Sequence, residues 1–480
     1  MRRILFIIDG IFCNFATNSQ IHNLTMSNKA QFGTKIGLIA ATVGSAVGLG
    51  NVWRFPIMAQ ENGGAAFLLI YIACVFILGI PVMMAEFSLG RGGGSDAVGS
   101  FQNITPGKKW WMAGAIGILA SYIILSYYMV VAGWTLEYTW QSITGDLYTP
   151  ISEGGAMDNT QFASKMNEYI VNDYNPLIFT FLMIIANFAI LLGGVKKGIE
   201  RLSNILMPML FVLLIIFAGV SLSLPKAEEG LSFFLNPDFS KIDATVVVNA
   251  MGQAFFSLSL GMGILITYSS YYPKNTILSR TAVTVSMLDM TVAIMMGISI
   301  FPAVTSFGLT GESLEGASLV FIALPEVFAQ MAGGQIWSIL FFLFLMVAAL
   351  TSTISIAEVS IAFMQDHFKM SRVKACVTVL APLFILSSLC SLSQGSLGSM
   401  KIFGFTLFDL FDQVATNIML PIASILVCIY MGWVAPKTFF KNQLSNNGTV
   451  RSRVFHIVLF IVRFIAPLLI ASILIAYFVK

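Results

Sequence analysis

Asn51, Ser257, Asp289, Thr351 and Ser352 are the side chains of this 480-residue sequence whose types and surroundings best suit chemistry, because each lies inside an apolar run. They offer neutral oxygens and one carboxylate, a set suited to small charged ligands. Asp289 sits in the middle of Val285-Ser286-Met287-Leu288-Asp289-Met290-Thr291-Val292. An ionisable group at membrane depth is a functional-site candidate by default. The Thr351-Ser352 pair is weaker by itself, since such hydroxyls commonly bond back to their own helix.

The backbone around Asn51 points the same way. Gly44-Ser45-Ala46-Val47-Gly48-Leu49-Gly50-Asn51 interrupts an apolar segment over 36–58 and leads into Val52-Trp53-Arg54-Phe55-Pro56. Unsatisfied backbone groups in lipid cost several kcal/mol each, so a broken helix there must line a cavity and find other partners. A second break is expected at Phe255-Phe256-Ser257-Leu258-Ser259-Leu260-Gly261-Met262-Gly263. These are the first and sixth apolar runs. Five is odd, so a repeat of five spans must be inverted, the arrangement of many secondary transporters.

The elements that position these residues are read from composition. The chain is 57% hydrophobic and 10% charged, against about 25% charged in soluble domains. Eleven spans are expected, at 36–58, 65–89, 112–141, 176–193, 199–222, 245–272, 281–307, 335–366, 373–392, 406–435 and 454–478. Each is long enough to cross a bilayer. Of the 26 lysines and arginines, 19 fall on the side of the N-terminus and 5 opposite (Lys165, Lys226, Lys241, Lys401, Lys480). This bias places the N-terminus in the cytoplasm and the C-terminus outside. Residues 1–28 read as a tail or a misassigned start, with Met26 a natural beginning, and 29–478 as one transporter domain. Within it, repeat one covers about 36–222, repeat two about 245–435, and an extra helix about 454–478. Five scattered cysteines give no disulfide frame. No G-x-x-x-x-G-K-[ST] or H-E-x-x-H occurs, which argues against a nucleotide-driven pump or a metalloenzyme. Nothing suggests nucleic-acid binding or an oligomeric state.

From about Lys29 to at least Pro436 the chain resembles the neurotransmitter:sodium symporters, specifically their bacterial amino-acid members. Gly48-Leu49-Gly50-Asn51-Val52-Trp53-Arg54-Phe55-Pro56, Glu61-Asn62-Gly63-Gly64, Gln253-Ala254-Phe255-Phe256-Ser257-Leu258-Ser259 and Leu350-Thr351-Ser352 carry the likeness. The resemblance implies an all-α polytopic membrane protein with the LeuT-type 5+5 inverted repeat, helices 1 and 6 broken. It implies two sodium ions. One takes the Ala46 carbonyl, Asn51, Ser257 and Asp289; the other takes carbonyls of Gly44, Val47 and Ala348 with the hydroxyls of Thr351 and Ser352. Many relatives have asparagine where Asp289 stands and bind chloride nearby, while some chloride-independent ones carry a glutamate where this chain has Ala293. A fixed Asp289 charge therefore implies no chloride requirement.

By the same resemblance, a substrate carboxylate meets the backbone at Ala46, Leu49 and Gly50 and the Tyr128 hydroxyl, with Ser257 beside it. Monoamine carriers place aspartate where Gly48 stands, so glycine points to a substrate with its own carboxylate. Ile124, Phe256, Ser259, Met262, Ser352 and Ile356 line the side-chain pocket and suit a neutral, hydrophobic or aromatic L-amino acid. Arg54 with Asp412 forms an outer gate, and Lys29 with Asp366 an inner one. Gly198 and Pro208 match a motif for opening an inner water path, and Glu86 and Glu358 read as structural hydrogen-bonding groups. The expectation is a non-enzymatic importer in a bacterial inner (plasma) membrane; an amino-acid-gated channel or a non-transporting sensor of the same fold is the alternative.

Overall fold

The computed structural model describes residues 30–150, 159–308, 317–450 and 454–479; among these it is helical throughout, apart from loops and one isolated bridge, Ile402 to Phe405. Among the described residues, nine continuous helices are long and apolar enough to cross a membrane: Ala65–Gly93, Trp111–Thr144, Asn175–Leu192, Val195–Leu222, Leu278–Ser306, Gly334–Phe368, Arg372–Leu392, Leu407–Val434 and Phe455–Val479. These are spans 2 to 5 and 7 to 11. Span 1 is the bent pair Lys35–Ala46 and Gly50–Glu61, which meet at 53°. Span 6 is split into Ala244–Ser257 and Ile264–Ser270. Every expected span has its counterpart. The tail 1–28 and Lys29 lie outside the described residues.

Local chemistry fixes the breaks. Span 1 begins at Thr34, whose hydroxyl accepts from the Gly37 N–H at 2.9 Å, one of the donors a helix start leaves unpaired. It ends where Val47 turns extended, then resumes at Gly50 in a wide turn before Phe55 and Pro56. Span 6 starts on Asp243, which accepts from Val246 N–H at 2.8 Å. Between its halves Ser259 (φ 54°), Gly261 (φ 78°) and Gly263 (φ 72°) are left-handed. A non-glycine residue held there is uncommon and costs energy that the surroundings must offset.

The two broken spans are enclosed by longer ones. Spans 3 and 8 lie along one another, and the first half of span 1 contacts spans 5, 7 and 8. The second half of span 6 lies against span 2. Gly90 makes that approach possible, because a Cβ there would overlap the Ile266 carbonyl oxygen. Lipid-facing side chains such as Ile215, Leu468 and Ile475 are exposed. Gly90→Ala should therefore lower stability by about 1–3 kcal/mol, the usual cost of overpacking. Thermal unfolding of the detergent-purified variant checks this; an unchanged midpoint would contradict the close approach.

Candidate functional site

Where spans 1 and 6 lose their helices, five side chains and the exposed backbone close on one another. Asn51, Ser257 and Asp289 are buried at the centre. The Asn51 amide donates to Asp289 Oδ1 at 2.8 Å and to Ser257 Oγ at 3.0 Å. Ser257 in turn donates to Asp289 Oδ2 at 2.8 Å. Tyr71 of span 2 adds a third donor, its hydroxyl 3.4 Å from the same oxygen. Asp289 thus accepts hydrogen bonds from neutral groups, and among the described residues no arginine or lysine pairs with it. Ala46 is buried at the end of the first half of span 1, five residues before Asn51 across the break. Turning the Asn51 carboxamide would present its oxygen beside Ser257 and Asp289, an all-oxygen set for a hard cation.

A second cluster joins spans 1 and 8. Ser352 Oγ donates to the Val47 carbonyl at 3.3 Å, across 305 residues of sequence. Thr351 bonds back to the Ala348 carbonyl at 3.0 Å, and its Cβ lies beside Gly44. Gly44, Val47, Ala348, Thr351 and Ser352 are therefore brought together, with three carbonyls and two hydroxyls among them.

Between the clusters the backbone turns its amides inward. Leu49 N–H donates to the Tyr128 hydroxyl oxygen at 3.2 Å, which leaves the hydroxyl proton free to donate elsewhere. Donors at a helix start, with the positive end of its dipole, favour an anion. Gly48 faces this point: a Cβ there would overlap the Ser352 hydroxyl and stand 3.0 Å from that of Tyr128. Gly50 faces the Phe256 ring, and its carbonyl accepts from Gln253 at 2.9 Å. Ile124, Ser259, Met262 and Ile356 are buried and Phe256 partly so. Ser259 also spends its hydroxyl on the Ser45 carbonyl at 2.9 Å, tying the two broken segments together.

The expected gate residues are arranged differently. Arg54 does not form an ion pair with Asp412; its guanidinium lies 4.6 Å over the Phe256 ring. Asp412 accepts from the Tyr127 hydroxyl at 2.8 Å and from Thr416 at 3.0 Å. At the other end Lys29 lies outside the described residues, and Asp366 accepts from the Asp96 N–H at 2.8 Å and Ser95 at 3.2 Å. That end is held by other groups. Glu200 accepts from Gly33 N–H (2.7 Å), Thr34 N–H (2.9 Å) and the Thr34 hydroxyl (2.8 Å). Phe32 sits among the rings of Tyr268, Tyr271 and Tyr272. Glu358 is buried against Arg372 at 2.6 Å and Tyr271 at 2.9 Å, and Glu86 accepts from the Gly261 N–H at 2.8 Å. The sequence reading gives no site role to Tyr71, Tyr127, Glu200 or Gln253. A hydroxyl and a carboxamide within apolar runs were the available signals for Tyr71 and Gln253.

The sequence model of the Sodium:neurotransmitter symporter family matches residues 29–175 and 174–480. An uncharacterized sodium-dependent transporter of Haemophilus influenzae is 36% identical over 94% of this chain and 99% of its own length. The uncharacterized sodium-dependent transporter YhdH of Bacillus subtilis is 34% identical over 91% of this chain and 95% of its own. The crystal structure of MhsT in complex with L-phenylalanine superposes with a TM-score of 0.85, at 42% identity, covering 94% of this chain and 100% of that one.

The Arg372–Glu358 pair yields a prediction independent of any ligand. Removing one partner strands a buried charge, so Arg372→Gln should cost about 3–5 kcal/mol. Arg372→Gln combined with Glu358→Gln should recover most of that loss. Unfolding midpoints of the single and double variants measure the coupling, and additive losses would contradict it.

Proposed function

The chain belongs to the sodium:neurotransmitter symporter family and is a sodium-dependent membrane transporter rather than an enzyme; from that premise we propose that it imports a neutral, hydrophobic or aromatic L-amino acid by alternating access. The observation that carries the substrate class is the Gly48–Leu49–Tyr128 corner. It offers a backbone amide, a hydroxyl proton and a helix start to an anion, and it contains no acid to receive an amine alone. An amino acid's carboxylate fits there, one oxygen on the Tyr128 hydroxyl and the other on the amides at Leu49 and Gly50. Its side chain enters the apolar space among Ile124, Phe256, Ser259, Met262 and Ile356, with the Arg54 guanidinium over the Phe256 ring. The neighbouring MhsT structure holds L-phenylalanine, which supports an aromatic side chain.

Two sodium ions accompany the substrate in this reading. The first binds Asn51, Ser257, Asp289 and the Ala46 carbonyl, beside the substrate carboxylate. The second binds Thr351, Ser352 and the carbonyls of Gly44, Val47 and Ala348. Because the second cluster includes span 8 and the end of the first half of span 1, its cation ties together elements that must separate for inward release. Opposite charges attract strongly where water is excluded, so the Asp289 carboxylate balances sodium without a mobile anion. Arg54 over Phe256, with Asp412 on Tyr127, forms the outer closure; Asp366 and Lys29 contribute to the inner one. The excess of basic residues on the side of the N-terminus supports a cytoplasmic N-terminus and an outward C-terminus, in this reading across a bacterial inner membrane. Residues 29–478 act as one domain whose two inverted halves carry out the cycle.

Gly48→Asp should place a carboxylate against that of the substrate and reduce amino-acid binding sharply. Gly48→Ala controls for crowding of Ser352 and should cost less. Binding of radiolabelled phenylalanine in saturating sodium compares them. Equal affinities of Gly48→Asp and wild type would remove the carboxylate from this corner.

Charge balance at Asp289 can be tested separately. Uptake of phenylalanine by proteoliposomes should persist when chloride is replaced by gluconate. Asp289→Asn should raise the sodium concentration needed for half-maximal uptake about tenfold or more, the effect of losing one interaction of about 1.4 kcal/mol. Loss of wild-type uptake in gluconate, or an unaltered sodium dependence in the variant, would contradict the assignment.

A further inference from the structure

The connection between spans 9 and 10 folds into a short apolar knuckle. Ile402 N–H donates to the Phe405 carbonyl at 2.9 Å and Phe405 N–H to that of Ile402 at 3.1 Å, so Phe403 and Gly404 form a two-residue turn. Both are left-handed, at φ 54° and 86°. Turns of this kind favour Asn-Gly, because a bulky residue held there costs energy. Phe403 occupies the position all the same and is 90% exposed, so the protein gives its ring little contact in return. Met400, Ile402 and Phe405 are exposed beside it, with Lys401 between them.

The depth and the side of the knuckle follow from its base. Span 9, Arg372–Leu392, has 21 residues; at 1.5 Å each it is about 31 Å long, against a hydrocarbon core of about 30 Å. Its end therefore reaches the far boundary of the core with little to spare. Phe408 N–H donates to Ser393 Oγ and the Gln394 side-chain amide to Thr406 Oγ1, both at 3.1 Å, so both feet of the loop stand at that level. Phe403 is four residues from the start of span 10, at most about 14 Å away. Gly395 closely approaches the carbonyl of Val171, the last residue of helix Asn159–Val171 just before span 4. Spans 4 and 9 pack together, and Ile178, Leu182 and Ile185 of one and Ile385 and Leu389 of the other are exposed. Tyr174, at the foot of span 4, is exposed as well. The knuckle thus caps the lipid-facing edge formed by these two spans.

We propose that residues 400–405, with Tyr174, are a membrane anchor inserted at the headgroup–acyl boundary of the leaflet opposite the N-terminus. Phe403 buries its ring in that boundary. Lys401 lays its stem along it and sets its ammonium on lipid phosphate, while Tyr174 takes the interfacial place of an amphipathic ring. The strain at Phe403 is then offset by contact outside the protein, and the ends of spans 4 and 9 are held at one depth.

Phe403→Trp and Met400→Trp each place a fluorophore on the knuckle, and the difference from wild type in the same lipid is the emission of the added tryptophan. The proteins are reconstituted in nanodiscs of phosphatidylcholine, either unmodified or brominated near the headgroup end of its acyl chains. Elution profile and thermal unfolding show that each variant is folded, and either suffices if the other is not. Bromine in that position should cut the added emission by half or more. Bromine at the far end of the chains, and aqueous iodide, should each quench it less. Stronger quenching by iodide than by bromolipid would mark a loop standing in water and overturn the proposal. Shielding from both quenchers would mark a second copy or another protein segment seated on the knuckle and overturn it as well.

Discussion

In a bilayer every backbone N–H and C=O must find a partner within the protein, and the rest of this structure follows from meeting that demand twice in mid-membrane. Each broken segment is held by side chains sent from other spans. Gln253 serves the Gly50 carbonyl, Ser352 that of Val47, and Ser259 that of Ser45; Tyr128 accepts from Leu49 and Glu86 from Gly261. The carbonyls and amides offered to ligands are the same kind of group as those already tied down. Binding there changes partners and does not create a new cost of burial.

The buried carboxylates separate by their company. Glu358 has a guanidinium and a phenol, and it staples structure. Asp289 has an amide, an alcohol and a phenol, all neutral. Three donors stabilise a carboxylate without cancelling its charge, so a cation remains the natural completion. Depth alone does not draw this contrast between Glu358 and Asp289, since both are buried.

Much of this architecture was legible in the sequence because it is written locally. Glycine clusters in apolar runs mark the breaks around Gly48 and Gly261, and a carboxylate in a hydrophobic run marks Asp289. Their mutual placement rests on an odd-numbered repeat, which counting spans can supply. Other contacts depend on which helix faces meet in space. Glu200 reaches Gly33 across 167 residues, and Tyr71 reaches Asp289 across 218; no local spacing encodes either. The outer gate illustrates a different limit of motif reading. A motif names Arg54 and Asp412, but their partners here are the Phe256 ring and the Tyr127 hydroxyl, which no motif spacing encodes.

The hold of Glu200 on the start of span 1 bears on how economically a cell could run such a carrier. One carboxylate receives two amides and a hydroxyl from adjacent residues, so the three bonds form and break as a unit. Bonds to a charged group are worth about 1.5–3 kcal/mol each, and each 1.4 kcal/mol is about a factor of ten in an equilibrium. The start of span 1 therefore has few half-released forms at this contact. A clasp that is either shut or released keeps wasted ion flux low, and the gradient a cell maintains is spent on cargo.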